Sequence, residues 1–399
     1  TSTKIRISLQ YMHNANEFHV DQTSDTPQNA QFPFFFIYFT QSYHYYRAIK
    51  LLRQRKIKHA SRSITCEQQE SNISAIVQFL NTHMITPTAT VQVHGCKIYP
   101  QTRYTYCDIE THVDYNPEIP TPFSILPDNT NIHQSVLSFD IEAIGSNNKF
   151  PDESNIDNPI ICICATYKDS SGKRTNYSLS YGTHAKVQFA TSYMYESEIL
   201  MLEAFRDLVI CLDPDIFLHY NGDIFDWKYM YARAQLLNTC SRFFFFGKLA
   251  CARCNIRELN FSNRAHGQQR CQRPNCSGRT NCDVYTLFRK GGMKLDSYKL
   301  DQVAHHFLGK NKNDLPIPTM IKYWQSGHDL KRKEVIQYCI QDAILPMDLV
   351  EHVQAIPDHE EMARITCVFM EDLLTRGQMY RVLCLLYMFA RKHNFVLGN

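Results

Sequence analysis

Apolar and polar positions change period several times along this chain, and each change marks an element. FPFFFIYF and TATVQVHG are short β-prone runs near the start, and a basic stretch between them has helical character. NPEIPTPFSILPDN then carries Pro117, Pro120, Pro122 and Pro127, which break helix and strand alike and mark a domain boundary near residue 132. Beyond it, VLSFD reads as a strand and PIICICATY as a buried strand. SEILMLEAFRDLVICL has apolar residues at every third or fourth place, the period of an amphipathic helix. DIFLHYN is another short strand. NGDIFDWKYMYARAQLL enters a helix with Asp223 as the expected cap and Asp226 in the first turn, and KRKEVIQYCIQDAILPMDLV is a later helix. Strand, strand, helix, strand, helix predicts an α/β domain over 133–355. A mixed α+β domain over 1–132 precedes it, and a helical segment over 356–399 follows.

Composition adds limits to this outline. The chain has 399 residues, 44% hydrophobic and 20% charged, which fits two or three globular domains. A net charge of +3 decides nothing about a nucleic-acid partner, but a local cluster does bear on it. Arg47, Lys50, Arg53, Arg55, Lys56, Lys58 and Arg62 follow the aromatic run with no acid among them, a pattern that suits a phosphate backbone with stacked bases and equally a solvated helix face. Fifteen cysteines without small-scaffold spacing imply reduced thiols in a reducing, intracellular compartment. The apolar runs fall short of the roughly 18 residues that span a bilayer, so no membrane partner is expected. The chain begins with Thr and stops on a hydrophobic run, and it is expected to be a fragment of a longer protein.

Candidate chemistry lies in three acidic clusters: Asp140 and Glu142 in LSFDIEA, Asp226 in HYNGDIFDWKY, and Asp342 in QYCIQDA. Residues two apart on a strand share a face, so Asp140 and Glu142 project together while Ile141 points to the core. Two adjacent carboxylates repel unless a cation lies between them. Three or four such acids can hold two Mg²⁺ or Mn²⁺ ions, the arrangement that hydrolyses phosphodiesters. Tyr338 sits one helical turn before Asp342 and is placed to orient a water or a phosphate.

The residues around the acids give the clusters a family likeness. FDIEA with the following Phe150-Pro151-Asp152 and NPIICI, YNGDIFD with Asn221, Phe225 and Asp226, and YCIQDAILP resemble the three exonuclease motifs of family B DNA polymerases, delta-type members in particular. LDSYKLDQVAHHFLGKNKNDLP and MEDLLTRGQMYRVLCLL extend the similarity from about residue 133 to the end. The resemblance implies a ribonuclease H-like fold with a mixed sheet and a two-metal 3′ to 5′ exonuclease that proofreads during replication. It implies an N-terminal domain contacting template, with accessory replication subunits as partners, in the nucleus or a viral replication compartment. By motif position Asp140, Glu142, Asp226 and Asp342 would hold metal, with Tyr338 assisting the nucleophile. Asn221 and Phe225 would touch a frayed 3′ end. From the charge pattern alone, Arg47, Lys50 and Arg53 are the candidates for DNA contact, with a solvated helix face as the equal reading. Phe225 has an equal reading as a core residue.

Two features depart from the family pattern. The polymerase motifs are absent from these residues, so nucleotide transfer is expected only of a longer chain. Between the second and third clusters, Cys251, Cys254, Cys271, Cys276 and Cys282 crowd an Arg-rich segment. Four of them (Cys251, Cys254, Cys271, Cys276) read either as a structural zinc site or as plain reduced thiols. The same segment resembles the family's β-hairpin that helps part primer from template. A binding module that keeps the fold without the reaction is the alternative function.

Overall fold

The computed structural model describes residues 5–14, 32–39, 42–52, 56–59, 62–65, 69–70, 73–97, 103–113, 123–126, 133–146, 150–263, 267–290, 294–310 and 315–397. Arg53 and the four connector prolines lie outside the described residues. The described residues fall into two compact units, one within 1–93, 117–127 and 359–399, the other within 94–116 and 128–358.

The first unit holds β1 (Ile5–Asn14), β2 (Phe32–Phe39), α1 (Ser42–Leu52), β3 (Lys56–His59), β4 (Arg62–Thr65), α2 (Ala75–Thr82), β5 (Val91–Val93) and β6 (Phe123–Ile125). β1 pairs antiparallel with β2, and the aromatic run forms the second strand of that ladder. Ser74 caps α2 by accepting the Val77 N–H at 3.3 Å. Ile73 and Val77 then bury against Val368, Leu373 and Tyr387 from the C-terminal part of the chain. Arg47 and Lys50 are both exposed on α1.

The second unit is built on a six-stranded mixed sheet. Its strands are β7 (Val136–Ala143), β8 (Ile160–Lys168), β9 (Arg174–Tyr181), β10 (Thr191–Tyr195), β11 (Ile216–His219) and, after the hairpin β12 (Asn255–Asn263) and β13 (Gly267–Asn275), β14 (Thr280–Asp283). Their spatial order is β10-β9-β8-β7-β11-β14. β8 runs antiparallel to both of its neighbours, β7 and β9, while β7, β11 and β14 are parallel. Both faces are covered. One carries α3 (Glu198–Leu212), α4 (Asp226–Leu236) and the short α5 (Cys240–Phe243), burying Leu137, Phe139, Phe205, Phe217 and Trp227 in one cluster. The chain continues through α6 (Val284–Lys290), α7 (Leu300–Leu308), α8 (Ile317–Gln325) and α9 (Asp329–His352), and α8 and α9 cover the opposite face over Ile161, Cys162, Cys164, Met320, Trp324 and Ile336. α10 (Ala355–Thr366), α11 (Met370–Thr375), α12 (Gln378–Lys392) and β15 (Phe395–Val396) complete the chain, and β15 pairs with β1.

The sheet is therefore an α/β sandwich, as the strand and helix periods predicted. Burial along β7 alternates where the acids lie: Phe139 and Ile141 are fully enclosed, whereas Asp140 and Glu142 are partly open on the side covered by α9. Among the described residues no helix is long and apolar enough to cross a membrane, and the described cysteines are all free thiols.

Candidate active site

Parallel pairing of β7 with β11 brings their carboxyl ends to one edge of the sheet. The turn after β11 therefore arrives beside the acids of β7. Asp226, the first residue of α4, is buried there and its Oδ1 accepts the Ile141 N–H at 3.3 Å. α9 crosses β7 and β8 on the other side and contributes Asp342. One carboxylate oxygen from each of Asp140, Glu142 and Asp342 lies within 4.8 Å of the others. The structure thus brings Asp140, Glu142 and Asp342 together, with Asp226 held beside them.

Burial, with the nearby Asp342 and Asp223 charges, pushes the Asp226 carboxyl up to about 7 against the pull of the Ile141 N–H. An all-oxygen donor set of this size suits a hard divalent cation, which would relieve that repulsion. Tyr338 is half-buried on α9, four residues before Asp342.

A second layer of polar residues builds the turn that delivers Asp226. Asn221 sits in the left-handed region at φ 62°, and its N–H donates to Asp283 Oδ1 at 2.9 Å. Gly222 is required: a Cβ there would lie 2.5 Å from His219 Nδ1 and 2.8 Å from Asp226 Oδ2. The Gly222 N–H donates to His219 Nδ1 at 3.1 Å, which puts the ring proton on Nε2, 3.1 Å from Asn281 Oδ1. Asn281 Oδ1 also accepts from Trp227 Nε1, and its amide donates to Asp223.

Asp223 corrects one expectation. It does not cap α4, whose N-terminal flank is Phe225 without a side-chain cap. It lies buried in an ion pair with Arg273 of β13 at 2.6 Å, and its carbonyl accepts the Gln272 N–H. The Arg-rich segment between the clusters thus forms the antiparallel hairpin β12–β13, and its second strand is tied directly to the Asp226 turn. His219, Asp223 and Asp283 also approach one another closely, with the Arg273 guanidinium already paired to that group.

Phe225 is half-buried, with its ring 5.6 Å from that of the exposed Phe150 and 5.4 Å from Tyr229. It packs against the core cluster of the sheet. Of the cysteines with zinc-like spacing, Cys254 and Cys276 hydrogen-bond to each other, and this contact draws the Cys254 thiol below its ordinary value. Cys251 is exposed, and Cys271 lies among Asp223, Asp283 and Arg273. Among the described residues no three of these four sulfurs converge.

Sequence reasoning left a further group unnoticed. Cys162 and Cys164 of β8 stand opposite Glu142 and Asp140 in the ladder, and Cys339 of α9 closes over them. Cysteine reads as an apolar filler in a strand pattern, so only the register identifies the group.

The sequence profile described as DNA polymerase family B, exonuclease domain, matches residues 66–303. The chain is 35% identical over 268 residues to the DNA polymerase delta catalytic subunit of Drosophila melanogaster, covering 66% of this chain and 24% of that protein. It is 33% identical over 269 residues to the Mesocricetus auratus subunit (66% and 24%) and 30% identical over 342 residues to that of Bos taurus (82% and 30%). The chain thus spans a quarter to under a third of these curated relatives. With the acids of all three clusters gathered at one sheet edge and most of the chain covered by the match, it belongs to the exonuclease-domain family of the family B DNA polymerases.

Proposed function

We propose that this chain is the N-terminal and proofreading part of a family B DNA polymerase, removing 3′-terminal nucleotides from DNA on a ribonuclease H-like fold. The observation that carries it is the convergence of Asp140, Glu142 and Asp342 within 4.8 Å, with Asp226 held against the Ile141 N–H beside them. When bound there, two Mg²⁺ or Mn²⁺ ions supply a water ionised near neutral pH and charge neutralisation at the departing 3′ oxygen. The four carboxylates are the ligands. Tyr338 orients the attacking water or the scissile phosphate from one turn before Asp342. Asn221 and Phe225, in the turn that delivers Asp226, position the terminal nucleotide. Residues 1–132, with Arg47 and Lys50 exposed on α1, supply template contact, 133–355 the nuclease, and 356–399 the link toward a polymerase module. Polymerase activity, accessory subunits and action at a nuclear or viral site of replication belong to the longer protein.

Purified chain with Mg²⁺ should release mononucleotides from a 3′-labelled single strand. Chelator should stop the release, and Asp140→Ala with Glu142→Ala should lower it by about 10³-fold or more. Digestion that persists without metal or in the double variant contradicts the proposal. Tyr338→Phe keeps the ring and removes only the hydroxyl. It should lower kcat about 10- to 100-fold with KM for the strand unchanged, measured by single-turnover and steady-state digestion.

A further inference from the structure

Beneath the carboxylates lies a set of groups that the proposed reaction does not use. Cys162, Cys164 and Cys339 are each fully buried, and their Sγ atoms lie within 4.8 Å of one another. Their convergence follows from the fold. Alternation on β8 puts Cys162 and Cys164 on the face that carries Asp140 and Glu142, and α9 lays Cys339 over that face. Cys339 Sγ is 3.6 Å from Asp140 Oδ2 and 3.5 Å from the Asp140 carbonyl oxygen. Asp140 and Glu142, on the same face, are partly exposed, while the three thiols beneath them are enclosed.

We infer that Cys162, Cys164 and Cys339 form a second metal site, selective for a thiophilic divalent cation of the zinc or cadmium type. Soft thiolates discriminate against Mg²⁺ and Mn²⁺, whereas the carboxylates above them take those hard ions. Three sulfurs bound to one Zn²⁺ at about 2.3 Å stand about 3.8–4.0 Å apart, so small side-chain rotations close the present arrangement. Binding forms three metal–sulfur bonds and breaks three S–H bonds, and the three protons leave to solvent. The fourth position falls to a water or to Asp140 Oδ2. When Asp140 Oδ2 takes that position, Asp140 belongs to both sites, and filling the lower one withdraws it from the upper. The thiol site stands on its own geometry. Only its inhibitory effect rests on the proposed hydrolysis.

The direct test is X-ray absorption on the wild-type chain loaded with one equivalent of Zn²⁺ in excess Mg²⁺. Three sulfur neighbours at about 2.3 Å are expected. Two or fewer sulfurs, or an oxygen-only shell, overturn the site. Cadmium titration followed by the ultraviolet thiolate charge-transfer band identifies the sulfurs. The band should survive Cys254→Ala with Cys276→Ala and be lost in Cys339→Ala. Survival of the full band in Cys339→Ala also overturns the site. If hydrolysis of 3′ ends is absent while the sulfur shell is present, the reaction fails and the metal site holds.

Discussion

Asp226→Asn is expected to lower 3′ trimming by about 10³-fold and yet raise the stability of the metal-free chain at pH 8 by about 1–3 kcal/mol. The two effects have one origin. Asp226 is buried beside Asp342, and its carboxyl is pushed up to about 7, so the folded chain holds that proton more tightly than the unfolded one. Such a group contributes stability that is full below the ordinary carboxylate range of about 4 and is lost as pH rises through about 7. An amide keeps the oxygen that accepts the Ile141 N–H and removes the charge. Urea unfolding in chelator, at pH values from about 4 to 8, should show the variant's advantage growing across that window and then levelling off. Asp283, pushed up to about 6 mainly by burial, is present in both proteins. An advantage that does not change with pH contradicts this origin.

The second large effect concerns stability alone. Arg233 of α4 is 1% exposed and pairs with the buried Glu198 of α3 at 2.6 Å and 2.9 Å. Its guanidinium also donates to the carbonyls of Asn155 and Ile156, and Glu198 accepts the Ile160 N–H that opens β8. One residue therefore joins two helices, a strand start and the loop that carries Phe150. Arg233→Met leaves Glu198 charged and buried without its cation, at a cost of about 3–5 kcal/mol. Urea unfolding should show that loss, and Arg233→Met with Glu198→Met should recover most of it because no unpaired charge remains. A single-variant loss below about 1 kcal/mol would show that water reaches the pair.

Much of the site was legible because strand and helix periods are local. The two-residue alternation in VLSFDIEA decides which face Asp140 and Glu142 share, and β7 carries them on one side with Ile141 on the other. The spacing of Tyr338 and Asp342 likewise needs only a helical turn, which α9 provides. What stayed hidden depends on long-range register. Asp223 reads as a cap from its neighbours, but its partner Arg273 is 50 residues away and reaches it only through the pairing of β12 with β13. Asp283 and Asn281 lie on a strand whose place beside β11 no local pattern encodes. The cysteines illustrate the same point twice. Close spacing in sequence brought together only Cys254 and Cys276 of the four with zinc-like spacing, whereas Cys162, Cys164 and Cys339, with Cys339 far along the chain, converge through the sheet and α9.

The central claim is that the carboxylates bind ions that touch the phosphate being cut. It is tested most directly with 3′-labelled strands carrying a single phosphorothioate of either configuration at the terminal linkage, digested in single-turnover mode. Sulfur binds Mg²⁺ poorly and Mn²⁺ well. One isomer should lose most of its cleavage in Mg²⁺ and regain it in Mn²⁺, and Asp140→Ala with Glu142→Ala should abolish that rescue. Equal cleavage of both isomers in Mg²⁺, or a loss that Mn²⁺ does not restore, would contradict metal contact at the scissile phosphate.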